Sequence, residues 1–270
     1  MKRIYIIISM LSFMFASCSG FLEEYSQDTA YVRGYEDLDE LLLGSVYMPT
    51  NAPEHMGYTY GTDGWYYPYI HLMTDEVQEN IRSSSSGALW DARERYFGYY
   101  TWQQQVGIDA LGTSIRKESS DWNKIYKHIN IANMILASID EQSTPKEEDE
   151  LEVMRIKGEA YFLRGAYYFI LVNLYGKPYT KTGAKNDLGV PIKNTEYIED
   201  KVYGRNTVEE VYAQVLADLG EAEKCLEKTV HKSIYRADIT ATYLLLSRVH
   251  LYMQNWEMAE SYAKKVLAKQ

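Results

Sequence analysis

From Ser120 onward the apolar side chains recur at three- and four-residue steps, the period of helices that each bury one face. No other feature constrains the fold as much. Trp122, Ile125, Tyr126, Ile129, Ala132, Asn133, Leu136 and Ile139 mark a first amphipathic helix. Thr144-Pro145-Lys146-Glu147 predicts the start of a second, with an N-cap, a proline at the first helical position and a capping-box acid. Its buried stripe reads Ile156, Ala160, Leu163, Tyr167, Ile170, Leu171 and Leu174, and Gly176 with Pro178 ends it near Tyr175. Residues 176–206 read as extended and turn-rich around Gly189-Val190-Pro191. A third helix opens at the capping box Thr207-Val208-Glu209-Glu210 and buries Val211, Tyr212, Val215, Leu219, Ala222 and Leu226. A fourth, from N-cap Asp238 to Met253, turns Ala241, Leu244, Leu245, Val249 and Tyr252 inward. In the fifth, Trp256, Ala259, Ala263, Val266 and Leu267 do the same. With only Gln254 and Asn255 between them, the last two must form an antiparallel hairpin.

That hairpin fits a tetratricopeptide unit of about 34 residues, in which small residues let paired helices approach. Tyr243, Leu246-Ser247 and Ala259 fall at the unit's spacings, while His250 stands where an aromatic is usual, and a generic helical hairpin is the rival. The fold class is therefore all-α, a tetratricopeptide-like helical repeat (an α-α superhelix). Upstream, Leu38, Leu41 and Leu42 share a face of a modest first helix. Residues 49–118 lack any sustained period and read as long, irregular, aromatic-rich loops, which in compact domains usually carry function.

The chain begins as an export signal. Lys2 and Arg3 precede an apolar run of 13 residues from Ile4 to Ala16, too short for a permanent span, which needs about 20. Phe15-Ala16-Ser17-Cys18 then offers small residues to a signal peptidase and a thiol to acylate, with Phe15 replacing the more usual Leu. The expectation is cleavage after residue 17, a lipidated Cys18, a tether and first helix to residue 48, and a bilayer as partner through the acyl anchor. Cys225, in a helical stretch, has no cysteine left to pair with, so packing stabilises the fold and Cys225 itself packs.

Without Lys2 and Arg3 the chain holds 26 basic residues against 38 acidic ones, a charge of -12 that argues against nucleic acid as a partner. The 26 Tyr and 5 Trp outweigh 6 Phe, a choice of rings with a polar handle that suits half-wet contacts with sugars or peptides. The densest cluster lies in the loop region. Trp65, Tyr67, Tyr69, Trp90, Tyr96 and Trp102 are candidate platforms for a sugar's C–H face, and Asp75, Asn80 and Arg82 candidate partners for its hydroxyls. The competing reading makes any one of these rings core or partner interface.

Two sets of phrases carry a resemblance. Trp122-Asn-Lys-Ile-Tyr126 and Ile129-Asn-Ile-Ala-Asn133 precede Gly158-Glu-Ala-Tyr-Phe-Leu-Arg164 and Leu174-Tyr-Gly-Lys-Pro178. Arg205-Asn-Thr-Val-Glu209, Val215-Leu-Ala-Asp-Leu219 and Trp256-Glu-Met-Ala259 follow. In this order, behind a lipoprotein signal, they resemble the tetratricopeptide core of the SusD/RagB outer-membrane lipoproteins. The resemblance implies a surface-exposed lipoprotein of the cell outer membrane. Such a protein sits over a SusC-like TonB-dependent transporter and delivers oligosaccharides or, in some members, peptides to it. Family members continue well beyond the length seen here, so residues 49–270 correspond to an N-terminal domain with the family's C-terminal region missing.

Neither an enzyme nor a cofactor site is expected. Asp75, Glu76 and Asp91 could be imagined as a glycosidase pair, but among 38 acids such proximity is better explained by chance. The histidines His55, His71, His128, His231 and His250 show no metal-ligand spacing, and no glycine-rich phosphate loop is present. His128 and His250 are expected at a helix surface or with a satisfied partner. Glu159 and Arg164, inside the most apolar helix, are expected to pair with groups on other helices, because a lone buried charge is costly. The alternative to nutrient capture is a helical adaptor that only docks proteins.

Overall fold

The computed structural model describes residues 32–47, 73, 78, 97–103, 111–112, 120–197 and 199–269. The chain divides at Arg33 and Gly34, and the elements described belong to the second unit. Among the described residues the fold is all-α, with a single antiparallel bridge between Leu188 and Thr207.

Helix α1 (Tyr35–Leu41) runs into a π-helical turn (Leu42–Val46), and Leu38, Leu42 and Val46, spaced by four, are buried. Leu41 is only half-buried. Helix α2 (Ser120–Ser138) buries Ile125, Ile129, Ala132 and Asn133 as its period predicts, but it also buries Ile135 and leaves Trp122, Tyr126 and Leu136 half-buried; a 3-10 turn (Ile139–Glu141) closes it.

Helix α3 (Glu147–Tyr175) is the central element, packed between α2 and α4 (Val208–Leu226). Its N-cap is Lys146, two residues beyond the expected Thr144. The reason is Asp149, which sits at the third helical position and accepts the Lys146 backbone N–H at 3.1 Å. Glu147, Glu148, Asp149 and Glu150 then all lie in the first turn, where the helix dipole favours anions. Gly158 and Gly165, one heptad apart, let α4 close in on α3: a Cβ at Gly158 would stand 2.6 Å from Leu226 Cγ and 2.9 Å from Cys225 Cβ. Cys225 is a buried free thiol whose pKa is pushed up by burial, consistent with packing.

The segment between α3 and α4 has only the one bridge and a few backbone bonds, such as Gly189 N–H to the Asn206 carbonyl at 2.7 Å, so side chains satisfy much of the rest of its backbone. Tyr126 donates to the Pro191 carbonyl at 2.6 Å. The Tyr168 hydroxyl donates to the Lys193 carbonyl at 2.8 Å and accepts its N–H at 2.9 Å. Arg205 bonds the carbonyls of Gly189, Tyr175 and Leu188 at 2.7, 2.9 and 3.0 Å, closing the carboxyl end of α3. The capping box of α4 forms as read, with Thr207 N–H on Glu210 at 2.7 Å and Glu210 N–H on Thr207 Oγ1 at 3.2 Å.

Helices α5 (Ile239–Tyr252) and α6 (Trp256–Leu267) form the hairpin, and Asp238 caps α5 through the Ala241 N–H at 2.8 Å. Ser247 Oγ donates to the Ala259 carbonyl at 2.8 Å, the close approach that the small residues imply. The inward face differs from the one read in the sequence. Tyr243, Leu246, Val249 and His250 are buried, whereas Leu244, Tyr252, Trp256 and Leu267 are 53, 49, 62 and 67% exposed. Helix α5 is apolar around most of its circumference, so period alone does not choose a side. The contact at Ser247 and Ala259 does, and Leu244, Tyr252 and Trp256 are left outward. No helix among the described residues is long and apolar enough to cross a membrane.

Candidate binding site

Of the residues proposed to hold a ligand, Trp102 is described; Trp65, Tyr67, Tyr69, Asp75, Asn80, Arg82, Trp90 and Tyr96 lie outside the described residues, as do Cys18, Glu76 and Asp91. Residues 97–100 form one helical turn, with Tyr99 buried and the Phe97 and Tyr100 rings edge to face at 5.7 Å. Two backbone bonds end this turn, Trp102 N–H to the Tyr99 carbonyl at 3.1 Å and Gln103 N–H to the Gly98 carbonyl at 2.9 Å. This pair, with a left-handed residue between, is a Schellman cap. The left-handed position is Trp102, at φ 56°. Glycine ordinarily stands there, because an L side chain pays about 1–2 kcal/mol for that conformation. Trp102 is also 66% exposed, so burial does not repay the strain. A strained, solvent-presented indole is a motif for contact with something outside the fold.

The second feature is a cleft of about 660 Å³ whose lining includes Tyr35, Glu36, Asp39, Glu40, Asp149, Glu152, Arg155 and Lys232. Three of its lining residues, Asp39, Glu152 and Arg155, belong to a charge clamp centred on Glu159. Glu159, wholly buried, accepts Arg155 at 2.6 Å, Arg236 at 2.9 and 3.1 Å and the Tyr47 hydroxyl at 2.5 Å. Arg236 also holds Asp39, which lies 3.1 Å from Arg155. Burial alone would raise the Asp39 carboxyl, but Arg236 and Arg155 outweigh it and keep its pKa below the usual range. Glu152 is held low in the same sense, burial being outweighed by Lys232 and Arg155. These acids therefore stay ionised and engaged, an arrangement that locks α1 to α3 and to the connection before α5. Sequence reading missed this clamp. The Glu152–Arg155 and Arg155–Glu159 spacings of three and four were its local signals; Arg236 sits in an aperiodic connection.

Arg164 meets the expectation of a partner on another helix. It holds Asp218 of α4 in a fork at 2.6 and 3.0 Å and Asn133 of α2 at 2.8 Å, and Asn133 in turn bonds the carbonyls of Lys193 and Thr195. Glu159 meets it only in part, since Arg155 is on its own helix. His128 has its partner, the Ser45 carbonyl, 2.7 Å from Nδ1. His250 does not lie at the surface. It is buried against the Tyr262 ring, standing in for the aromatic usual at that place, and its Nδ1 is unpartnered. Among the described residues no group of three His, Cys, Asp or Glu could hold a metal ion.

Comparison with known proteins adds the family. Residues 68–251, more than half of the chain, match the SusD-like family described as starch-binding and associating with the outer membrane. The chain is similar to the starch-binding protein SusD of Bacteroides thetaiotaomicron, at 24% identity over 90% of this chain and 39% of that protein. It is also similar to the SusD-like protein P38 of Formosa agariphila, at 28% identity over 59% of this chain and 29% of that one. A SusD superfamily structure from Bacteroides vulgatus superposes with a TM-score of 0.63 at 20% identity, covering 88% of this chain and 47% of that one. The chain thus spans less than half the length of the curated relatives it matches. Matched over residues 68–251, and folded in the same tetratricopeptide-like way, this chain belongs to the SusD-like family of outer-membrane-associated proteins.

Proposed function

We propose that this chain is the N-terminal part of a lipid-anchored outer-membrane protein that captures an oligosaccharide and passes it to a SusC-like TonB-dependent transporter. The observation that carries binding is Trp102, held exposed at a backbone position that glycine would occupy at lower cost. The family description as starch-binding favours a glycan over a peptide, and the tyrosine- and tryptophan-rich loops before residue 119 are consistent with more than one platform. Binding, not catalysis, is the reading that the family description as starch-binding supports, and the buried carboxylates Glu159 and Asp218 are engaged by arginines. Residues 1–17 are assigned to a signal peptide, Cys18 to the anchor, 49–118 to the ligand-side loops and 119–270 to the helical support.

A second reading has its own support. Leu244, Leu251, Trp256 and Leu267, all at least 50% exposed, give the α5–α6 hairpin an apolar outer surface of the kind that docks proteins. Titrating the chain with starch-derived oligosaccharides, other glycan fragments and peptides separates the two. Saturable binding of a glycan supports capture. Co-purification with a barrel protein and no binding of any glycan or peptide supports docking alone.

Anchoring has a separate test, intact-mass analysis of protein recovered from outer membranes. A mature N-terminus at Cys18 carrying three acyl groups is expected; an unmodified N-terminus at another residue would refute the anchor.

A further inference from the structure

Among the described residues, Nδ1 of His250 is the buried side-chain polar atom left without a hydrogen-bond partner. The residue is 8% exposed, and its ring lies almost parallel to that of Tyr262, with centroids 5.7 Å apart and planes at 7°. A neutral imidazole meets this position by carrying its proton on Nε2 and leaving Nδ1 as a bare lone pair. Protonation puts a hydrogen and a charge on Nδ1 with no acceptor to receive either, the costly case for a buried group.

The surroundings add to that cost. Lys265 of α6 already places its ammonium 4.6 Å from the Tyr262 ring centre and 4.7 Å from that of Tyr243, so an imidazolium would be a second cation on an occupied ring. Of the acids on the elements packed against α5, Glu260 of α6 pairs with Lys264 at 2.6 Å, and three more on α4 and α3 are committed elsewhere. Glu223 of α4 takes Lys265 at 2.8 Å and the Tyr262 hydroxyl at 3.1 Å, Asp218 is held by Arg164 and Gln214, and Glu159 of α3 by Arg155 and Arg236. Burial lowers the proton affinity of His250, with no charged neighbour offsetting it.

We propose that His250 is a proton-sensitive latch on the α5–α6 hairpin: neutral, it stacks on Tyr262 and seals the helix pair; protonated, it loosens α6 from α5 and α4. The direction follows from linkage. The pKa is lowered in the folded chain, so above the ordinary value of about 6.5 both states are neutral and the full contribution is present. As pH falls below that value the unfolded state takes up the proton first, and stability is lost until the folded value is reached. His128, whose pKa is also lowered by burial, adds an acid-sensitive contact of its own, but between α2 and the π-helical turn.

Hydrogen exchange of the full chain, read peptide by peptide and corrected for intrinsic rates, separates the two histidines. Between about pH 7.5 and pH 5, peptides from residues 239–267 are expected to lose protection by roughly threefold or more, and not to do so in His250→Phe, which keeps a stacking ring. Peptides of α2 should respond alike in both proteins. Equal loss across 239–267 in His250→Phe, or none in the parent, would overturn the latch. Should that variant not fold, NMR titration of the parent's His250 ring decides. A pKa below 6.5 supports the latch, and one at or above 6.5, where the carboxyl end of α5 would by itself set it, overturns it.

Discussion

Arg164→Ala is expected to lower the unfolding free energy by about 3–5 kcal/mol, the cost of breaking a buried ion pair from one side. The guanidinium, 9% exposed, is the only partner of its kind that Asp218, 2% exposed, has within the described structure. Removing it leaves a carboxylate inside the α3–α4 interface with Gln214 alone for support, and strips the Asn133 amide of its acceptor role toward α3. For a domain of this size the loss corresponds to a fall in melting temperature of roughly 10 °C, measurable by circular dichroism. The double variant Arg164→Met with Asp218→Leu should recover most of it, because apolar residues of similar volume carry no desolvation penalty. A single-variant loss below about 1 kcal/mol would contradict the account, since it would mean Asp218 finds water or another partner.

Glu159→Ala is the second large effect, again about 3–5 kcal/mol, now because two guanidiniums lose the anion between them. Arg155 and Arg236 converge on Glu159 from α3 and from the connection before α5, and Tyr47 adds a hydroxyl from the end of the π-helical turn. The damage should therefore be local before it is global: hydrogen exchange of residues 35–47 and 227–238 rises first. Acid should produce a milder version. Asp39 and Glu152 are held below the ordinary carboxylate values of 3.8 and 4.5, so their contribution is complete above those values and lost as pH falls through the lower folded ones. If exchange in α1 were indifferent to Glu159→Ala, the clamp would not be what holds α1.

What could be read in advance follows from where each signal resides. The capping box at Thr207 and the cap at Asp238 are local, three residues across, and both form with the bonds their sequences imply. The start of α3 is displaced because a second acid, Asp149, competes for the same role and accepts the Lys146 N–H first. The inward face of α5 is not legible from period, since Leu244, Leu245, Leu246 and Val249 surround the helix and only the Ser247–Ala259 contact selects a side. The clamp was hidden for a different reason: Glu159 and Arg236 are 77 residues apart, and nothing in the Arg236 connection repeats. At the candidate site, composition marks Trp102 as an aromatic among many. Its distinguishing property, a left-handed backbone, has no sequence signature beyond the absence of the expected glycine.

That property also supplies the most direct test of the central claim, that the loop region before α2 presents aromatic surface to a glycan. In Trp102→Gly the Schellman cap gains the residue it ordinarily uses, so thermal stability should hold or rise by about 1 kcal/mol. Calorimetric titration with the oligosaccharide that the parent chain binds should show affinity reduced by about tenfold or more, the worth of one apolar platform. Trp256→Ala, a comparably exposed tryptophan on α6, should leave that affinity unchanged. A Trp102→Gly protein that binds as tightly as its parent would contradict the account.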